Sequence, residues 1–146
     1  MADISVLHIE DEVNFQLTCK SAFVGIGCDY RATTTAEAAQ DELKTEPADL
    51  IIVDCFLRSA GINGDKFVED IVHDGSYKGA IIFVSTSPRP TMIKTLKTKF
   101  PTAKVTESPK DIFIDTLKEF QSSKGKASSA TDIFTFVDDK FEAANA

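Results

Sequence analysis

A chain of 146 residues with 42% hydrophobic content is sized for one domain around a single core, and a second catalytic domain is not expected. The formal charge of -7, from 16 basic and 23 acidic residues, opposes binding to nucleic acid or anionic membrane, so contact with neither is expected. No apolar stretch approaches the roughly 20 residues of a membrane span, and MADISVLHIEDE lacks the basic flank and apolar core of a signal peptide, which makes the cytoplasm the expected location.

Along the chain, apolar runs of strand length alternate with segments of helical period, the pattern of a doubly wound α/β sheet of five units. The first strand is read at Ile4 to Ile9, followed by a helix carrying Val13, Leu17, Ala22 and Phe23 and ending near Gly25 and Gly27. A short strand, Cys28 to Ala32, leads to a helix capped by Thr34 or Thr35, with Ala38, Ala39 and Leu43 on its apolar face and Pro47 at its exit. Asp49 to Val53 reads as the central strand, because LIIV is apolar on both faces, and it stops at Asp54. In the loop CFLRSAGING, Gly61 and Gly64 supply turn positions before a helix from Asp65 to His73.

AIIFVS is the fourth strand and runs into Ser85, Thr86 and Ser87, then a Pro88, Arg89, Pro90 break. The next helix carries Met92, Ile93, Leu96 and Phe100, and Pro101 closes it. A weak last strand, Ala103 to Glu107, precedes a helix from Lys110 to Phe120 with Ile112, Phe113, Leu117 and Phe120 on one stripe. Residues 1–121 form the expected domain, 122–130 a small polar linker and 131–146 an apolar tail. In that tail, with Thr131 or Asp132 as cap, Phe134, Val137 and Phe141 share a helical face; strand character in IFTFV is the competing reading. The face is expected to pack on its own domain, with a homodimer contact as the alternative.

The chemistry lies at the strand ends. Glu10, Asp11 and Asp54 each follow an apolar run, and in an open parallel sheet the C-terminal strand ends share the ligand-binding edge. Magnesium takes oxygen ligands and needs only one or two carboxylates, so Asp11 and Asp54 are candidate direct ligands, with Glu10 acting through water. A metal there would offset repulsion between Asp54 and a phosphoryl group and leave the carboxylate to act as nucleophile. Ser85, at the end of the neighbouring strand, could donate to a phosphoryl oxygen and report the change to the following loop.

Glu10, Asp11, Asp54 and Ser85, in this order and context, make residues 3–121 resemble a receiver domain of the bacterial two-component response regulators, in the CheY-like superfamily. The resemblance implies a flavodoxin-like (βα)5 fold of strand order 2-1-3-4-5 and a phosphoprotein rather than an enzyme. It further implies transfer of a phosphoryl group to Asp54 from a sensor histidine kinase or phosphotransfer protein. Magnesium would sit on Asp11, Asp54 and the Phe56 backbone carbonyl, Ser85 would be the switch hydroxyl, and a downstream protein would read the signal.

The departures are specific. Ser108 stands where the family has a lysine before proline, and Lys104 or Lys110 are the candidate substitutes. Thr86, where Ala or Gly is usual, would narrow access to the phosphoryl group. Val105 or Thr106 stands where an aromatic is common, and the loop from Asp54 to Gly64 is about two residues longer than the family norm. A receiver-like scaffold that has lost phosphorylation is therefore a second reading. An aspartyl-phosphate hydrolase is a third, although its second acid would fall on Phe56. Cys19, Cys28 and Cys55, odd in number and without a CxxC spacing, read as reduced thiols, and His8 as a core histidine. Lys94, Lys97 and Lys99 read as a solvated basic face.

Overall fold

The computed structural model describes residues 4–57 and 63–145. Strands and helices alternate as β1 (Ile4–Ile9), α1 (Val13–Gly25), β2 (Cys28–Thr33), α2 (Ala36–Thr45), β3 (Leu50–Val53), α3 (Gly64–His73), β4 (Ala80–Ser85), α4 (Pro90–Lys99), β5 (Lys104–Pro109), α5 (Lys110–Lys124) and α6 (Ala130–Ala144). All strand pairs are parallel and the order is β2-β1-β3-β4-β5, the doubly wound sheet that the alternation predicts with the flavodoxin-like order that the family resemblance implies.

Because β3 and β4 lie inside the sheet, their side chains must be apolar on both faces, and every residue of both strands is buried. On one face Ile51, Val53 and Phe83 pack with Ala39 of α2, Phe67 of α3 and Ile93 of α4. On the other, Ile52 and Val84 pack with Phe23 of α1 and Phe113, Leu117 and Phe120 of α5. Burying each such side chain is worth ~1.5–3 kcal/mol, so the two layers fix the sheet and with it the strand ends that carry the acids.

Several boundaries differ from the sequence reading. Thr35, not Thr34, caps α2, its hydroxyl accepting from Ala38 N at 3.1 Å. Asp49 stands before β3, where its carboxylate accepts from Ser5 N at 2.8 Å and prolongs the pairing with β1. The last strand runs two residues past Glu107, because Ser108 and Pro109 stay in register with Val84 and Ser85 of β4. Helix α5 continues past Phe120 to Lys124 and ends at Gly125, whose φ of 74° a residue with a side chain rarely adopts. Gly61 lies outside the described residues.

The cap of α6 is Ser129, accepting from Asp132 N at 3.3 Å, rather than Thr131 or Asp132. The buried row is Ile133, Val137 and Phe141, so Ile133 takes the place expected of Phe134, which is half-buried at the flank. A helix of 15 residues is marginal alone; those three side chains hold it on the domain. It packs against β5, β4 and α5 of its own chain. Ile133 and Val137 join the α1/α5 core and Phe141 joins the α2/α3/α4 core, so α6 crosses the β5 edge of the sheet.

Candidate functional site

The parallel register delivers the three acids to one point. Glu10 leaves β1 with its N–H on the Thr33 carbonyl at 3.0 Å, and Asp54 leaves β3 with its N–H on the Ile9 carbonyl at 3.2 Å. Glu10, Asp11 and Asp54 each present a ligand oxygen within 4.8 Å of the others. Glu10 is 0% exposed and Asp54 7%. Burial pushes the Glu10 carboxyl up to about 7 against the opposing pull of its Lys110 hydrogen bond. Hard oxygen donors this close suit a magnesium ion, so the donor set fits the cofactor expected from the sequence.

Ser85 Oγ donates to Asp54 Oδ1 at 3.1 Å and accepts from Cys55 N at 3.1 Å. Phe56 N donates to the same Asp54 oxygen at 2.9 Å. Two donors on Oδ1 fix the plane of the carboxylate, while Oδ2 faces Lys110 at 3.7 Å. The Glu10 side chain is held from below, Oε2 accepting from Glu12 N at 3.0 Å. Glycine at 64 answers a close approach rather than a flexible turn: a Cβ there would fall 1.8 Å from the Asp54 carbonyl oxygen.

Of the two candidate lysines, Lys110 reaches the acids. Its ammonium lies 2.9 Å from Glu10 Oε1 and 3.2 Å from Glu12 Oε2, and 4.7 Å from the centre of the Phe15 ring. Desolvation, the largest single influence, pulls its pKa down, but the bonds to Glu10 and Glu12 and the charge of Asp54 together outweigh it and the net shift is upward. Lys104 is exposed at the start of β5, opposite Ala80 and level with Leu50, about four residues or ~13 Å of strand from the acids. Ser108 is buried inside β5 and donates to the Pro109 carbonyl at 3.1 Å.

Thr86 is exposed at the lip of the site. The Phe56 ring is 47% exposed, with the Arg89 guanidinium 5.5 Å from its centre. Val105 and Thr106 are buried in β5. Glu107 is buried there too, and its Oε2 accepts from Arg89 N at 2.9 Å in the loop after β4. Burial raises its pKa, the Arg89 N–H and charge pulling the other way. Neither this link nor Glu12 and Phe15 around Lys110 was read from sequence; the only signal was an acid amid the apolar and hydroxyl residues of VTESP.

His8 is fully buried, its Nδ1 2.6 Å from Tyr30 Oη, and burial followed by the Lys110 charge lowers its pKa to about 3. Cys55 is buried and burial pushes its thiol up to about 11, the state of an inert thiol. Lys97 and Lys99 pair with Glu142 and Glu69, so the basic stretch of α4 is partly neutralised. Among the described residues no helix is long and apolar enough to cross a membrane.

No protein-family model matches the chain, and no curated protein matches it in sequence. Solved structures match closely in fold. The signal receiver domain of a putative LuxO repressor protein from Vibrio parahaemolyticus superposes with a TM-score of 0.70 at 18% identity, over 99% of this chain and 98% of that one. Chemotaxis protein CheY4 of Vibrio cholerae superposes with a TM-score of 0.67 at 19% identity, over 84% of this chain and 98% of that one. The receiver domain of the Francisella response regulator 1452 gives 0.65 at 19% identity, over 79% and 90%. The chain has the fold of the response-regulator receiver domains.

Proposed function

We propose that residues 1–121 are a phosphoacceptor domain that takes a phosphoryl group on Asp54 and signals by binding a downstream protein. The observation that carries this reading is a carboxylate oriented by Ser85 Oγ and Phe56 N, beside two further acids and one ammonium. The donor is a phosphohistidine of a sensor kinase or phosphotransfer protein. An Asp54 oxygen attacks phosphorus, the P–O bond forms as the P–N bond breaks, and the imidazole leaves with the electron pair. Asp11, Asp54 and the Phe56 carbonyl would hold magnesium, with Glu10 behind them, and the ion supplies charge neutralisation between carboxylate and phosphoryl oxygens. Ser85 turns its hydroxyl from the carboxylate to a phosphoryl oxygen. Lys110 supplies the cation that Ser108 cannot, and Thr86 restricts entry of water.

A stripe on α1 formed by Val13, Leu17 and Val24, each more than half exposed, begins beside Asp11 and gives a protein donor an apolar surface to hold. The absence of a second acid at Phe56 argues against a hydrolase, whose leaving group needs a proton donor. The site sits in the cytoplasm, where such kinases act.

Incubation with acetyl phosphate and magnesium, followed by intact mass measurement, tests the reading. The wild type gains one phosphoryl group, a chelator prevents the gain, and Asp54→Asn does not gain it. An unmodified wild type, under conditions that charge an ordinary receiver, would favour the scaffold reading.

A further inference from the structure

Helix α6 lies where the loop after β4, strand β5 and helix α5 meet, and its contacts suit a removable cover. Phe136 sits edge-on to Phe120 of α5 at 5.3 Å, Lys140 pairs with Glu119 at 2.9 Å, and Lys97 of α4 reaches Glu142 at 3.5 Å. Beside its C-terminal half is a cavity of about 220 Å³, lined among others by Pro88 of the loop and Pro90 at the start of α4, Glu107 and Ser108 of β5, and Val137 and Phe141 of α6. A gap of that size means that loop and helix touch across a boundary that is not close-packed. Thr106 Oγ1 on β5 and Asp138 Oδ1 on α6 are buried without a hydrogen-bond partner among the described residues. Buried polar groups are normally satisfied, so exposure would return to these two atoms what packing denies them.

The same loop is tied to the acid site at its other end. Asp54 Oδ1 holds Ser85 Oγ, Ser85 ends β4, and four residues later Arg89 N is held by the buried Glu107 carboxylate. Pro88 and Pro90 flank that bond and face the cavity beside α6. When Ser85 leaves the carboxylate for a phosphoryl oxygen, the loop keeps its backbone anchor on Glu107 and the Arg89 side chain's pairing with Asp65, and it has a space to enter, the cavity.

We propose that α6 is a displaceable internal cover of the surface formed by α4, β5 and α5, and that charging Asp54 loosens it through the Arg89–Glu107 link. The uncovered surface is an apolar groove for a helix with a buried residue every fourth position, which α6 occupies with Ile133, Val137 and Phe141. The inference rests on the phosphoacceptor reading of Asp54.

Full-length protein is treated with acetyl phosphate and magnesium, and intact mass and amide hydrogen exchange are read from the same samples. In the charged wild type, exchange across residues 130–144 rises roughly fivefold or more, a coupling of ordinary allosteric size, and Asp54→Asn stays unchanged. Full charging with unaltered α6 exchange would overturn the coupling alone; no charging would overturn the phosphoacceptor reading and the coupling with it. Because coupling is reciprocal, Phe141→Ala, or the milder Val137→Ala should the first not fold, holds a larger charged fraction at the same acetyl phosphate concentration. An equal fraction would also overturn it. Glu107→Gln keeps the mass gain and loses the change in α6 exchange.

Discussion

At the residue scale the acids and Ser85 were legible in sequence because Glu10, Asp54 and Ser85 each directly end an apolar run and Asp11 follows Glu10, a purely local signal. The lysine was legible only as a pair of candidates. Its place depends on β5 extending through Ser108 and Pro109, which is decided by pairing with β4 rather than by the six residues of the strand themselves. Replacing Lys110 by Met should slow charging by acetyl phosphate by at least ~10²-fold, since it removes a fixed cation from the point where charge develops, whereas Lys104→Met should stay within about twofold. A time course by intact mass distinguishes the two. Gly64→Ala places a methyl group 1.8 Å from the Asp54 carbonyl oxygen, and should lower stability by ~1–3 kcal/mol in denaturant titration as the loop shifts to admit it.

Two buried groups at this scale oppose each other in pH. Glu10 rises from its ordinary 4.5 to about 7, so the folded state keeps a proton that the unfolded chain loses, and its contribution to stability disappears as pH rises through that window. His8 falls from 6.5 to about 3, so its contribution is full above 6.5 and is lost as pH falls toward 3. With chelator present, the two nearly cancel between pH 4.5 and 6.5. Glu10→Gln should therefore make stability rise with pH more steeply than in the wild type, by up to about 1.4 kcal/mol per unit, measured by urea unfolding across that range. A variant profile parallel to that of the wild type would contradict the pairing of these two titrations.

At the element scale, strands and helices were set by period and by breakers, and the ends were set by partners distant in sequence. Ser129 caps α6 because α5 runs to Gly125 and the chain must turn there, a geometry that SSKGKASSA does not reveal on its own. Ser129→Ala should cost ~1 kcal/mol of α6 stability, seen as faster amide exchange confined to residues 130–144. The α1 stripe makes the opposite case. Leu17 is 61% exposed, so Leu17→Glu should leave unfolding free energy within ~0.5 kcal/mol and charging by acetyl phosphate unchanged. A large loss of stability would mean that α1 packs differently.

At the scale of the whole molecule, a doubly wound parallel sheet followed from the alternation, since parallel strands joined by helices have few acceptable windings, while the order of its strands was legible only through the family resemblance carried by the acids and Ser85. The position of α6 was not legible, because an amphipathic tail can cover any apolar surface, and only the assembled sheet shows that β5 is an edge strand and that α6 packs against it. Magnesium near 100 times its dissociation constant should stabilise the folded protein by ~2.7 kcal/mol, and Asp11→Asn should lose most of that rise in Tm. The most direct measurement traps the charged residue itself. Protein charged by acetyl phosphate and reduced with borohydride converts an acyl phosphate to homoserine, which peptide sequencing by mass spectrometry locates. Homoserine at position 54 alone is the predicted result; homoserine at another acid, or charged protein with none, would contradict the assignment of Asp54 as the phosphoacceptor.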